Sequence, residues 1–416
     1  MGWEPLLTGD LAERAEQAVT AIAESLQRPL LDVRNYSLSA GHAGVALFFG
    51  YLSKARSDER MADLATAHLS QAIDLVAEED SPSLGLFSGL SGLAWTMQHL
   101  SLLLDGEAAA ADTEELDEAI LEAVRISPWP FEWDLVHGLA GIGIYALDHP
   151  VRGFATETVG QIVARLSELA IDCPAGVAWK TLPDFMTPRN ARQYPVGRFD
   201  QGVAHGVPGV IGFLRAACVK GVAKERARGL LDRSLAWLYA NMRPEDGGSR
   251  FTYFPPEMTD ARSGWCYGDP GVAAVLFQLT GASDESAWRN RAVSVACQAA
   301  RRAVEETGVV DATLCHGAAG LGHIFCRLFQ ASGENDLAIA ASAWFERALA
   351  MRRPGEGVGG YMNWWPEDRN WHPEAGFLVG AAGIGLSLLA AIYPIEPLWD
   401  APLLMPRQTS TQPPSV

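Results

Sequence analysis

The chain has 416 residues, 48% hydrophobic and 20% charged, with a net charge of −18. That acidic balance argues against nucleic acid as a partner, because such binding needs basic patches that displace counterions. The sequence also has no apolar run of the roughly 18 to 20 residues that a helix needs to span a bilayer, so membrane insertion is not expected.

Met1-Gly2-Trp3-Glu4-Pro5 lacks a basic stretch followed by an apolar one, so no signal peptide is expected and the location is read as cytoplasmic. From there a Gly-x-x-Gly motif recurs seven times, at Gly41/Gly44, Gly89/Gly92, Gly138/Gly141, Gly206/Gly209, Gly268/Gly271, Gly317/Gly320 and Gly380/Gly383. The first glycines are 48, 49, 68, 62, 49 and 63 residues apart. A period of roughly 40 to 50 residues is that of a helical repeat whose unit is a helix pair. Each motif opens an apolar run such as Val45-Ala46-Leu47-Phe48-Phe49 or Val210-Ile211-Gly212-Phe213-Leu214, as expected of a helix buried on all sides. Between these runs lie one-sided stretches. Leu230, Leu231, Ser234, Leu235 and Leu238 form one, and Val293, Ala296, Cys297, Ala300 and Val304 another.

The expected fold is therefore all-α: an α/α toroid in which seven outer helices surround seven inner ones, closed on itself so that no repeat is left uncapped. It is read as a single domain over residues 1–404, followed by a disordered tail over 405–416. Three intervals are long, and their extra residues fall near 173–200, 242–265 and 354–379, in loops rich in Pro, Gly, Arg and aromatic residues. Inner helices that all point the same way bring these loops to one mouth of the ring, where ligands are handled.

Cys266 in Gly-Trp-Cys-Tyr-Gly, and Cys315 and His316 in Leu-Cys-His-Gly, stand just before the first glycine of their repeats; His205 in Ala-His-Gly does the same. Two thiolates and an imidazole fill three positions of a tetrahedral zinc and leave the fourth open, the pattern of a catalytic site. The remaining cysteines, Cys173, Cys218, Cys297 and Cys326, fit reduced thiols better than a disulfide framework.

Together, Trp-Cys-Tyr-Gly, Cys-His-Gly, Ala-His-Gly and the seven glycine turns resemble the lanthionine synthetase C-like family, the zinc-dependent cyclases of lanthipeptide biosynthesis. The likeness covers almost the whole chain. It implies addition of a peptide cysteine to dehydroalanine or dehydrobutyrine to form a thioether ring, on a dehydrated precursor peptide supplied by a dehydratase. By matching position it makes Cys266, Cys315 and His316 the zinc ligands, His205 and Asp134 a proton-handling pair, and Arg262 and Tyr267 further active-site residues. It also allows a small β-containing insertion before His205, for which the interval around 173–200 leaves room.

Plainer readings stand beside these. Asp134 is also a candidate helix cap, His205 a satisfied loop histidine, and Arg262 and Tyr267 an ion-paired cation and a packed aromatic. His42 and His137 read as packing or capping residues, and His323, Cys218, Cys297 and Cys326 as core. Trp364, Trp365 and Trp371 cluster in a mouth loop as candidate peptide contacts. Competing functions are a zinc prenyltransferase, a toroidal glycosidase using Glu132 and Asp134, a non-catalytic peptide scaffold and an enzyme that adds glutathione.

Overall fold

The structure is a computed structural model that describes residues 2–27, 35–106, 112–245, 248–257, 259–279 and 285–407. Most of the predicted tail, residues 408–416, lies outside the described residues. The helices in chain order are α1 (Gly9–Leu26), α2 (His42–Arg56), α3 (Glu59–Ala77), α4 (Leu90–Asp105), α5 (Glu114–Val124), α6 (Leu139–Asp148), α7 (Arg152–Leu169), the short α8 (Pro188–Gln193), α9 (Val207–Lys220), α10 (Lys224–Ala240), α11 (Asp269–Phe277), α12 (Glu285–Ala300), α13 (Ala318–Ser332), α14 (Asn335–Ala350) and α15 (Ala381–Ile392).

The helices that follow the glycine motifs are α2, α4, α6, α9, α11, α13 and α15. Each packs on the next in that order, and α15 packs back on α2. Their sequences explain the placement. In α6, every residue from Leu139 to Leu147 is buried, and in α11 every residue is. The second layer is one-sided: α3, α7, α10, α12 and α14 pack on the inner helices that precede them, α5 packs on α4, and α1 packs on α15. Among the described residues no helix is long and apolar enough to cross a membrane.

The glycines hold the helix starts against the loops that precede them. A methyl group on Gly320 would stand 1.9 Å from the Leu314 carbonyl oxygen, and one on Gly92 would meet the Leu86 carbonyl at the same distance. These are first-turn positions where the chain doubles back on itself. Only a residue without Cβ allows that approach.

The insertion anticipated near 173–200 is present and contains strands. β1 (Ile171–Cys173) pairs antiparallel with β2 (Gly176–Ala178), and β3 (Lys180–Thr181) with β4 (Arg198–Phe199). Two tryptophans fasten it: Trp179 Nε1 donates to the Leu166 carbonyl at 2.8 Å, and Trp133 Nε1 to that of Lys180 at 3.1 Å. A second hairpin, β5 (Asn363–Trp365) with β6 (Asn370–His372), stands in the third long loop. The sequence reading had no strand there. At the C-terminus, a 3-10 turn over Leu398–Leu403 sends Trp399, Asp400 and Leu403 into the interior, and Met405 is buried after it.

These contacts separate two kinds of glycine. Gly320→Ala is expected to cost about 1–3 kcal/mol through steric overlap, whereas Gly229→Ala, at an exposed position of α10 with nothing within 4 Å of the added carbon, is expected to gain roughly 0.5–1 kcal/mol through helix propensity. Chemical denaturation of both variants checks the contrast.

Candidate functional site

The loops before the inner helices are joined by a closed circuit of backbone hydrogen bonds. Ser39 N–H donates to Phe87, Phe87 to Val136, Leu135 to Ala204, Ala204 to Cys266, Cys266 to Cys315, Cys315 to Leu378, and Leu378 back to Ser39, at 2.8 to 3.3 Å. The acceptors are the residues two before the first glycine of each motif. Cys266 and Cys315 are neighbouring links of this circuit, so their 49-residue separation in sequence closes to one hydrogen bond of 3.3 Å.

With His316 they form a cluster whose ligand atoms all lie within 4.8 Å of one another. Both cysteines are buried and free of disulfide, and His316 is half-buried. Two sulfurs and an imidazole nitrogen converging at this range make a donor set able to hold a soft divalent metal. Asp311 stands behind the ring, with Oδ2 3.7 Å from His316 Nε2. Asp311 is itself fixed: Oδ1 accepts from the backbone and hydroxyl of Thr313, and Oδ2 from Trp364 N–H. Carboxylates in this outer position orient ligand histidines.

The two thiols share a proton unequally. The hydrogen bond from Cys315 holds Cys266 well below the ordinary thiol value against the opposing effect of burial, with His316 and Arg262 helping. Cys315, as donor to a thiolate, is pushed well above it. Arg262 keeps its charge although burial disfavours it, because Cys266, Tyr253 and Cys315 surround it with negative potential. Its backbone N–H is tied to Tyr253 Oη at 2.9 Å.

On the adjoining links, His205 Nδ1 meets Asp134 Oδ2 at 2.6 Å. Burial disfavours the imidazolium, but the charge and hydrogen bond of Asp134, with help from Asp200 and Cys266, push His205 up to about 9. Desolvation works against the Asp134 carboxylate as well, and His205 still holds it below its ordinary value. The other Asp134 oxygen accepts from Val136 and His137 N–H at 3.0 and 2.7 Å. Asp134 is thus both a turn cap and the partner of His205, two readings the sequence offered as alternatives. With both oxygens engaged, it is not one of a free carboxylate pair with Glu132.

Tyr267 Oη donates to Asp200 Oδ2 at 2.8 Å, and burial together with that carboxylate raises the phenol well above its ordinary value. It is a neutral donor locked to Asp200. Asp200, buried and raised by desolvation, had no place in the sequence reading, although it stands six before Gly206 as Asp311 does before Gly317. That shared register was the signal. His137, read as packing, stacks on His205 with ring centroids 5.5 Å apart, and its Nδ1 meets Ser88 Oγ at 3.1 Å.

The residues set aside as core mostly lie there. His323 and Cys326 are buried in α13 and Cys218 in α9, and Cys297 is half-buried on α12. His42 Nδ1 meets His68 Nδ1 at 2.8 Å. Cys173, half-buried in β1, directs its thiol to the Ile171 carbonyl at 3.6 Å. Trp364 and Trp371 face each other across the second hairpin at 5.4 Å, and Trp365 is 39% exposed beside them.

Comparison with known proteins agrees with this geometry. The family profile for lanthionine synthetase C-like proteins matches residues 32–404. The nisin biosynthesis protein NisC of Lactococcus lactis subsp. lactis is 23% identical over 323 residues, covering 72% of this chain and 75% of that protein. A solved structure of nisin cyclase superposes with a TM-score of 0.75 at 21% identity, covering 94% of this chain and 96% of the other, which establishes a common fold.

Because His205 is raised, its partnership contributes stability that is fully present below the ordinary histidine value of about 6.5 and is lost as pH rises through about 9. Asp134→Asn is expected to bring His205 down toward about 6.5 and to remove that pH dependence between these limits. NMR titration of the histidine ring protons reads the first effect, and denaturation at several pH values the second.

Proposed function

Because the chain belongs to the lanthionine synthetase C-like family, we propose that it is a zinc-dependent lanthipeptide cyclase, forming lanthionine and methyllanthionine rings by adding peptide cysteines to dehydroalanine or dehydrobutyrine. The observation that carries this reading is the Cys266, Cys315 and His316 cluster set beside a histidine pushed up to about 9 on the same circuit of loops. NisC, a relative at 23% identity, is named for nisin biosynthesis. The cyclic order of inner-helix contacts, each helix backed by another, supports the finer reading of the fold as a double ring of seven and seven.

The reaction needs a sulfur nucleophile, a place for charge on the acceptor and a proton at the α-carbon. Cys266, Cys315 and His316 would hold the zinc, which would supply a Lewis acid able to lower the pKa of a peptide thiol toward neutrality. The new carbon–sulfur bond forms at the β-carbon as the carbon–carbon π bond breaks, leaving negative charge on the neighbouring amide oxygen. Arg262 is the cation beside the cluster and is read as the group that stabilises that oxygen. His205 carries a proton at neutral pH and delivers it to the α-carbon. Asp134 acts through His205, fixing the ring and keeping it charged. Tyr267 is read as a wall of the site, held by Asp200. The proton lost from the thiol is released to solvent and His205 regains one from solvent after protonating the α-carbon, so overall no atom is gained or lost. The substrate is a peptide already dehydrated at serine or threonine, so a dehydratase is the partner that precedes this step.

Two measurements test this reading. Purified protein should carry about one zinc per chain, and Cys315→Ala should lose most of it, since two ligands remain; stoichiometric zinc in the Cys266→Ala, Cys315→Ala double variant overturns the site. A dehydrated peptide with a free cysteine should lose thiol reactivity at constant mass. His205→Asn should keep zinc and slow ring formation by roughly 10²–10⁴-fold. Wild-type rates in that variant remove His205 from the chemistry, and a gain in peptide mass replaces cyclisation with intermolecular addition.

A further inference from the structure

Arg198, at the end of the insertion and two residues before Asp200, is held in an unusual way. Its guanidinium lies 3.5 Å from the centroid of the Phe254 ring and 5.0 Å from that of Tyr194. Its Nε and Nη1 are shielded from solvent yet have no hydrogen-bond partner among the described residues. The ring faces hold its charge, but they do not satisfy its N–H groups. Nor do the nearby carboxylates. Asp200 gives one oxygen to Gly202 N–H and the other to Tyr267 Oη, and Glu257 accepts from Tyr194 Oη at 2.5 Å.

The clamp stands next to the reaction site. Phe254 packs on Tyr267 with ring centroids 6.1 Å apart, and Tyr267 directly follows Cys266. The charge of Arg198 is felt at both Asp200 and Tyr267. Around it the local balance of charge is reversed. In a chain of net charge −18, the stretch from Lys180 to Phe199 holds Lys180, Arg189, Arg192 and Arg198 against a single acid, Asp184. Such an island favours the approach of an acidic peptide to a protein whose net charge disfavours it.

Building on the cyclase reading, we propose that Arg198 is a specificity-determining residue, the centre of a carboxylate subsite that receives an anionic group of the peptide beside the reacting dehydro residue. Nε and Nη1 lie on different edges of the guanidinium, each completed by Nη2, so a carboxylate docking through Nη2 on either edge would meet a second donor that has no other partner among the described residues. The carboxylate is either an acidic side chain or the peptide's own C-terminus, and both present the same two oxygens. The aromatic clamp fixes the fork in advance, so little side-chain freedom is lost when the ligand arrives.

The test uses calorimetric titration with short synthetic peptides that contain dehydrobutyrine and have serine in place of cysteine, so that no ring can close. One peptide is uncharged with a C-terminal amide, one carries glutamate near the dehydro residue with the same amide, and one has no acidic side chain but a free C-terminal carboxylate. Wild-type protein is expected to bind at least one carboxylate peptide roughly tenfold more tightly than the uncharged one, and whichever gains identifies the source. Arg198→Gln should erase the preference while keeping zinc content, which reports an intact fold. Arg198→Lys should retain part of it. Equal wild-type affinity for all three peptides, or a preference that survives in Arg198→Gln, overturns the subsite and leaves the cyclase reading standing. If wild-type protein binds none of them, the cyclase reading falls and takes the subsite with it.

Discussion

Everything at the mouth depends on the closed circuit of backbone hydrogen bonds that joins Ser39, Phe87, the Leu135–Val136 pair, Ala204, Cys266, Cys315 and Leu378 in turn. Each loop uses an amide and a carbonyl to meet its two neighbours, which pairs these backbone groups where burial would otherwise make them costly. The circuit also fixes register. Residues two and one before each glycine fall at equivalent places around the rim, which turns a linear repeat into a ring of addressable positions. Three neighbouring repeats use those addresses for Ala204 and His205, Cys266 and Tyr267, and Cys315 and His316. Sulfur and imidazole therefore converge from equivalent positions, and the Cys266 loop alone is reshaped, with Gly268 at φ 91° where the other first glycines are extended. Chemistry is written into the repeat by substitution at fixed positions.

Concentrating so many polar groups in a buried rim carries an electrostatic cost, which the site meets by pairing each charge. The thiolate character of Cys266 is held by the Cys315 hydrogen bond and by Arg262, and the imidazolium of His205 by Asp134. Asp200 takes up the Tyr267 hydroxyl and a backbone amide. Isolated ions at these depths would neutralise themselves instead. The pairing also sets the division of labour, because it keeps a proton donor and an anionic sulfur on adjacent links at the same pH. Arg198 is the exception, held by ring faces while the acids near it are engaged elsewhere.

The sequence foretold the ring because its period and its all-round apolar runs both follow from helix packing, and glycine marks each turn where a carbonyl approaches within about 2 Å of where Cβ would be. Cys266, Cys315 and His316 were legible for the same reason: their shared position before a glycine is local information. His137 and Asp200 were harder to read. Their roles arise from contacts between repeats, His137 stacking on His205 across 68 residues and Asp200 bonding Tyr267 across 67, and apart from the register that Asp200 shares with Asp311 nothing in their immediate neighbours announces this. The second hairpin at Asn363–His372 escaped because two strands of three residues are too short to show a period.

Closure at the rim has a counterpart along the axis of the ring. The C-terminal turn brings Asp400 between His323 and Arg327, with Arg327 Nε and Nη2 donating to its two oxygens at 2.6 and 2.9 Å, while Trp399 stacks on His323 at 4.5 Å. Leu403 then accepts from the indole of Trp265, the residue before Cys266, at 2.9 Å. The N-terminus joins the same assembly, with Trp3 Nε1 bonded to the Ala390 carbonyl and Arg327 lying over its ring at 4.9 Å. A buried ion pair of this kind adds little net stability over an apolar replacement, but removing one partner strands the other. Its consequence here is order. The C-terminal turn must be in place before the loop carrying Cys266 is backed by it, so the reactive cluster is completed by a contact that spans 138 residues. Such contacts form late in folding, which makes the site a product of the finished ring rather than of any single repeat.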